Sequence, residues 1–199
     1  MVNENVYRWV LLAIIVSCFG ISIYFRRGAA RSGGPISSRD SGLAIDTSLS
    51  LFGLGAMAGL VAYLINPKWM AWSQLELVPQ LRLLGGLLGL IVLALVFWAL
   101  RHLGANLTRT ARTRSHHTLV TGGPYRWVRH PLYSSGVVLC TGHVLLTANW
   151  FILLMCGLAF AVLLVRTSRE EANLIKKFGD EYRAYMSRTG RFLPRLRAS

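Results

Sequence analysis

Two short polar clusters hold the residue types in this chain that can do chemistry. The first, Gly122-Gly123-Pro124-Tyr125-Arg126-Trp127-Val128-Arg129-His130-Pro131-Leu132-Tyr133, is rich in basic and aromatic side chains. The second is Arg166-Thr167-Ser168-Arg169-Glu170-Glu171. Pro131 has no backbone donor and pushes His130 out of helical geometry, so a helix is predicted to open with Pro131 in its first turn. A helix start offers free N–H groups and a partial positive charge, which suit an anionic group. Arg129, His130 and Tyr133 add side-chain donors at the same place. In the second cluster, Arg166 precedes Glu170 by four residues, so both share one helical face. That pairing alone is worth little, but it points to an anionic group held by Arg166 and a cationic ligand held by Glu170. Glu171 is the candidate proton acceptor should the ligand be an amine.

The elements that must position these clusters are apolar. From Leu132 to Val165 the chain runs 34 residues with no Asp, Glu, Lys or Arg. This stretch divides at Thr147-Ala148-Asn149-Trp150 into two segments of about 17 residues, close to the length of a membrane span. Folded as a helical hairpin, it returns both polar clusters to one face of a bilayer, where adjacent carboxylates are costly unless they hold something. Three more uncharged runs precede it, Trp9–Phe25, Thr47–Pro67 and Leu83–Leu100. The fold class predicted is therefore all-α and integral to the membrane. It has about five transmembrane helices, a C-terminal helical hairpin and an interfacial helix. Hydrophobic residues make up 53% of the 199-residue chain and charged residues 15%, as expected of one polytopic domain. Within it, residues 1–103 hold three N-terminal spans, and 104–199 hold the ligand-binding loop, the hairpin and the C-terminal amphipathic helix.

Charge placement orients the spans. The net charge of +14 is not spread evenly: of 22 Lys and Arg, only Arg8, Lys68 and Arg82 fall outside Arg26–Arg39, Arg101–Arg129 and Arg166–Arg197. With five spans the three rich segments share one side, which the positive-inside rule makes cytoplasmic. The N-terminus is then outside, the C-terminus inside, and Trp9, Trp69, Trp72 and Trp150 form an outer aromatic belt. This distribution argues against nucleic acid as a partner and for membrane lipids. The first apolar run reads as a span, not a cleaved signal, because its basic residues follow it. Cys18, Cys140 and Cys156 lie within spans without metal-ligand spacing or a disulfide framework.

Arg26–Ser41 reads as an exposed Gly/Ser/Arg loop and Asn66–Gln80 as a connector in the outer interface. Gly55-Ala56-Met57-Ala58-Gly59 and Gly85-Gly86-Leu87-Leu88-Gly89 carry small-xxx-small spacing, which lets helices approach closely. Gly53-Leu54-Gly55 mimics a nucleotide-binding turn, but that fingerprint has meaning only between a strand and a helix. Beyond Val165, Leu174, Ile175, Phe178, Tyr182 and Tyr185 recur near helical spacing among charges. The last span is thus predicted to continue past the membrane surface and to break near Gly179.

Three blocks together resemble the isoprenylcysteine carboxyl methyltransferase family. They are His117-Thr118-Leu119-Val120-Thr121-Gly122-Gly123-Pro124-Tyr125, Arg129-His130-Pro131-Leu132-Tyr133, and Glu170-Glu171 with Leu174, Phe178-Gly179 and Tyr182. Phospholipid N-methyltransferases share parts of the pattern. The resemblance covers roughly 117–194, and the first three spans are similar only in hydropathy. It implies an integral membrane methyltransferase that uses S-adenosylmethionine without a Rossmann domain, and no metal. By the same resemblance, His117, Thr118, Leu119 and Val120 line the adenosine, and Tyr125 with His130, Pro131, Leu132 and Tyr133 wraps the rest of the cofactor. Glu170 contacts the cofactor, and Arg166 faces a lipophilic or prenylated substrate that enters from the bilayer.

Methyl transfer is an in-line displacement, so such a site need only desolvate and align a nucleophile within about 3–3.5 Å of the methyl carbon. A carboxylate acceptor is already ionised at neutral pH. An amine needs a base, for which Glu171 is the candidate, and a small thiol is a third acceptor class on the same scaffold. A heme protein using His102 and His143 is disfavoured by their different depths, and a non-enzymatic lipid-binding or scaffold protein is a third class, separated by whether the detergent-solubilised protein binds S-adenosylmethionine.

Overall fold

The computed structural model describes residues 3–32, 43–104 and 119–195. Its described residues form six α-helices with no strand: α1 Glu4–Ser32, α2 Leu43–Ile65, α3 Pro79–Leu103, α4 Pro131–Thr147, α5 Trp150–Phe178 and α6 Asp180–Arg188. Four of these, α1, α2, α3 and α5, are long and apolar enough to cross a membrane, and α4 is a shorter apolar helix of 17 residues. Their outward faces carry large apolar side chains such as Phe19, Leu54, Leu87, Leu90 and Leu153, a surface that requires lipid. The all-α, multi-pass membrane architecture predicted from hydropathy is what the chain adopts.

Close packing follows the glycines. A Cβ at Gly85 would sit 2.7 Å from the Gly142 carbonyl oxygen, and one at Gly89 would strike Ile14, so α3 touches α4 and α1 almost backbone to side chain. On the other side, Gly55 meets Met155 and Gly59 meets Ile152 and Phe151, which sets α2 antiparallel against α5. Both small-residue patterns thus act as helix contacts, and the Gly53 decoy lies inside α2. Cys140 and Cys156 interact across the α4–α5 hairpin, both free of disulfide.

The hairpin turns where the residue types require it. Ala148 adopts a left-handed conformation at φ 49° and ends α4. Asn149 then caps α5, its side chain accepting from the Ile152 amide at 3.2 Å. The Asn149 amide also donates to Ser73 Oγ at 2.8 Å, tying the turn to the 3₁₀ segment Pro67–Ser73. Trp72 packs edge-on to Trp150 at 5.2 Å in the same place.

The ends of α1, α2, α3 and α4 opposite the basic segments meet in a polar network that spacing did not reveal. Arg82 donates to both Glu4 carboxylate oxygens at 2.8 Å. It also donates to the Tyr63 hydroxyl at 2.8 Å and to the Leu146 carbonyl near the end of α4 at 2.8 and 3.0 Å. Its guanidinium lies 3.8 Å over the Tyr7 ring. Arg8 caps the last carbonyls of α2, Leu64 and Ile65. Two of the three basic residues outside the rich segments are therefore structural.

One predicted boundary is corrected. The loop expected from Arg26 begins no earlier than residue 33, because α1 continues through Ser32. Ala29 is buried beside Leu100, so packing holds a helix where Gly28 and the neighbouring charges read as a loop. The expected continuation of the last span is present: α5 runs unbroken to Phe178 and ends at Gly179, whose φ of 56° breaks the helix before α6.

Candidate functional site

At the basic end of the bundle, Gly123–Arg126 forms a 3₁₀ turn that packs against the end of α3. Gly123 has φ 59°, and a Cβ there would lie 2.4 Å from the His102 ring, so both conformation and contact require glycine. Trp127 rests 5.7 Å from Trp98, with the Arg126 guanidinium 4.0 Å over its ring. Pro124 and Tyr125 are buried. Pro131 opens α4 as predicted, after a His130 held at φ −122°, ψ 60°, outside helical geometry.

The chain beyond α6 completes this corner. The Arg129 amide donates to the Gly190 carbonyl at 2.8 Å, the Gly190 amide to the Trp127 carbonyl at 3.0 Å, and the His130 amide to the Arg191 carbonyl at 3.1 Å. Val128 and Gly190 form an isolated parallel bridge. Tyr185 donates to the Tyr125 carbonyl at 2.6 Å, and burial pushes its phenol up to about 12, so it remains a donor at neutral pH. Phe192 packs against the His130 ring and Phe160. Thr189–Phe192 was not legible as a site element because an irregular segment paired by backbone alone has no periodic signature.

The two adjacent carboxylates point into different surroundings. Glu170 accepts a hydrogen bond from the Tyr133 hydroxyl at 2.7 Å, and the His130 ring stacks parallel to Tyr133 at 5.3 Å. Glu171 is buried among cations. Arg129 Nε lies 2.8 Å and His130 Nε2 3.3 Å from one carboxylate oxygen, and Arg191 lies 3.1 Å from the other. Arg129 also donates to the Met186 and Thr189 carbonyls around the end of α6, and Arg191 to Ser168 at 2.9 Å. Arg166, one turn before Glu170, faces Asp46 in the first turn of α2 at 3.7 Å.

Of the residues singled out from sequence, Tyr133 and Glu170 are in direct contact, with Arg166 one turn away. His130 bridges this group to Glu171. Tyr125, Pro131 and Leu132 line the turn and the corner, Leu132 packing beside Ala29 and Leu100. Leu119 and Val120 are half-buried as they lead into the turn, and His117 and Thr118 lie outside the described residues. Asp46, Ser168 and Arg191 are additions from the structure.

Several apolar helices and a polar, charged cluster at one end of their bundle define a multi-pass membrane protein with its candidate site at a membrane boundary. The chain belongs to the phospholipid methyltransferase family, whose profile matches residues 81–181, from the start of α3 to the start of α6. A second profile, described as a putative inner membrane exporter, matches residues 37–113 and ends before the corner. Protein-S-isoprenylcysteine O-methyltransferase of Homo sapiens is 31% identical over 130 residues, 62% of this chain and 44% of that protein. Cobalt-zinc-cadmium resistance protein CzcN of Cupriavidus metallidurans is 35% identical over 83 residues, 42% of this chain and 38% of that protein. Methanethiol S-methyltransferase 1 of Bradyrhizobium diazoefficiens is 35% identical over 77 residues, 35% of this chain and 24% of that protein. The aligned part of the chain thus spans less than half the length of these curated relatives. The resemblance read from the three sequence blocks agrees with these similarities.

Proposed function

We propose that this protein is a membrane methyltransferase that uses S-adenosylmethionine to methylate the carboxylate of an isoprenylcysteine-like lipophilic acceptor. The observation that carries this reading is the convergence of Tyr133, Glu170 and Arg166 at one end of the α4–α5 hairpin, an anion and a cation one helical turn apart. Their donor set fits the cofactor: Glu170 offers a carboxylate beside stacked aromatic rings, an environment that favours a cation. Bound there, the cofactor supplies an electrophilic methyl group on a sulfonium.

This chain's residues then have distinct tasks. Glu170, oriented by the Tyr133 hydroxyl, holds the positively charged part of the cofactor, with Tyr125 and the His130–Leu132 corner around it. Leu119 and Val120, with His117 and Thr118, carry the adenosine. Arg166 receives the acceptor's anionic group and orients it. The apolar walls of α2, α4 and α5 exclude water, which leaves a carboxylate more nucleophilic. Glu171 acts as a positioning residue, because a carboxylate already shared among Arg129, His130 and Arg191 is a poor proton acceptor.

Arg166→Ala is expected to lower turnover on a prenylated cysteine while sparing cofactor binding, and Glu170→Gln to weaken cofactor binding. Each loses a charge-assisted contact worth roughly 1.5–3 kcal/mol, on the order of tenfold to a hundredfold. Calorimetry with S-adenosylmethionine and a methyl-transfer assay on the same preparations check both. Full activity of Arg166→Ala on every acceptor would remove the carboxylate assignment. The similarity to methanethiol S-methyltransferase 1 favours a small thiol as the second reading, and a panel containing a prenylated cysteine, an aminophospholipid and methanethiol separates them.

The cofactor reaches such a site from the cytosol and the lipophilic acceptor from the bilayer, so the basic end is assigned to the cytoplasmic face. The N-terminus is then outside and the C-terminus inside. A membrane-impermeant thiol reagent applied from outside should label a cysteine placed at the exposed Glu76 and not one placed at the exposed Ser187, and the reverse pattern overturns the orientation.

A further inference from the structure

Asp46 faces Arg166 from a different helix, and the way it does so has a functional use. The antiparallel register of α2 on α5 pairs Gly59 with Ile152 and Gly55 with Met155. Continued for two to three turns, it brings the first turn of α2 level with Arg166. There the Asp46 carboxylate lies 3.7 Å from Arg166 Nη1, within ion-pair range but beyond good hydrogen-bond distance. The Arg166 side chain is 12% exposed and that of Asp46 26%. By contrast, the Glu171 cluster is held by shorter contacts of 2.8 and 3.1 Å, and Arg82 grips Glu4 through two of 2.8 Å. Among these four arginine–carboxylate pairs, Arg166–Asp46 has the longest contact.

We propose that Asp46 is a specificity-determining counter-ion: it neutralises Arg166 in the resting site, and an anionic acceptor must displace it to be held. This rests on the reading of Arg166 as the acceptor's anchor. The charge balance gives the consequence. With Asp46 in place the pair is neutral, so an acceptor without charge gains nothing from Arg166 and meets no competition. An acceptor carboxylate has to compete with an internal carboxylate tethered beside the same guanidinium. Asp46 therefore raises the concentration at which carboxylate acceptors saturate the site, and through Arg166 it filters acceptors by charge. Asp46 is a positioning residue in this scheme, since its contact is with Arg166.

The test uses purified full-length protein in detergent, with a prenylated cysteine bearing a free carboxylate as probe and its uncharged carboxamide as competitor. Asp46→Asn should lower KM for the carboxylate probe about fivefold, as expected for losing one partly exposed competing charge. The kcat, the KM for S-adenosylmethionine and inhibition by the carboxamide should stay within about twofold. Asp46→Glu keeps the charge and should keep the wild-type KM. In an Arg166→Gln background, adding Asp46→Asn should change nothing, a result that a merely structural role of Asp46 would not produce. If Asp46→Asn does not fold, Asp46→Ser takes its place with the same expectations.

An unchanged or raised KM for the carboxylate in Asp46→Asn, with Arg166→Gln strongly impaired, overturns the counter-ion role while leaving the anchor reading intact. If Arg166→Gln is itself unimpaired, or the wild-type protein does not methylate the carboxylate probe, the anchor reading fails and the counter-ion role falls with it. Equal gains for carboxylate and carboxamide in Asp46→Asn also overturn the proposal, because they show a general loosening without charge selection.

Discussion

Arg82→Ala should destabilise the protein by about 3 kcal/mol while leaving the candidate site's affinity for cofactor unchanged, because Arg82 joins four helix ends far from that site. The side chain is 10% exposed, and its hydrogen bonds go to groups from other helices. These are Glu4 of α1, Tyr63 of α2 and the Leu146 carbonyl of α4. Removing it leaves Glu4 without its strongest partner and deprives a buried carbonyl of both its side-chain donors. Breaking a buried ion pair from one side typically costs about 3–5 kcal/mol, and the lower end applies because the Glu4 side chain is 38% exposed and rehydrates. Arg82→Lys keeps the charge but not the fork that reaches carboxylate, phenol and carbonyl together, so it should recover only part of the loss. Thermal unfolding in detergent reads the stability, and calorimetry with S-adenosylmethionine reads the site. A variant as stable as wild type would show that the network contributes nothing.

What was legible beforehand and what was not divides along physical lines. The α4–α5 hairpin, its turn at Thr147–Trp150 and the opening of α4 at Pro131 follow from local rules, since apolar length, a capping Asn and the missing proline donor act within a few residues. The pairing of the Arg-His-Pro corner with the Glu pair follows once the hairpin is granted, because two spans of equal length return to one face. Asp46 against Arg166, Glu4 against Arg82 and Gly190 against Val128 do not follow. Each joins residues 62 to 120 positions apart, and their partners depend on which helices pack and in what register. Small-residue spacing marked Gly55, Gly59, Gly85 and Gly89 as contact points, but did not say which neighbour each would meet. The extension of α1 through Ser32 has the same origin: burial of Ala29 against Leu100 overrides a local composition that reads as loop.

The Glu171 cluster carries the other large effect, and it separates a base from a positioning residue. Glu171→Ala should cost about 3–5 kcal/mol, because it leaves Arg129 and Arg191 beside a buried site with no anion between them. The Arg129 side chain is 10% exposed and has little water to turn to. Its bonds to the Met186 and Thr189 carbonyls are then its only remaining side-chain hydrogen bonds to α6 and the following tail. Those two segments should loosen first, since the tail is joined to the corner mainly by three backbone hydrogen bonds, the Ser134 contact to Phe192 and the Arg191 pair. Limited proteolysis should therefore cut near Thr189 in the variant before any global unfolding. Glu171→Gln keeps the shape and one acceptor, so it should lose less stability and retain measurable turnover. A positioning role predicts that this residual turnover follows the wild-type pH profile, because no titrating base has been removed. A catalytic base predicts the opposite pattern: unchanged melting temperature, turnover reduced more than a hundredfold, and partial recovery at higher pH where more of an amine acceptor is deprotonated. Observing that second pattern would reverse the assignment of Glu171 and with it favour an amine over a carboxylate as the methyl acceptor.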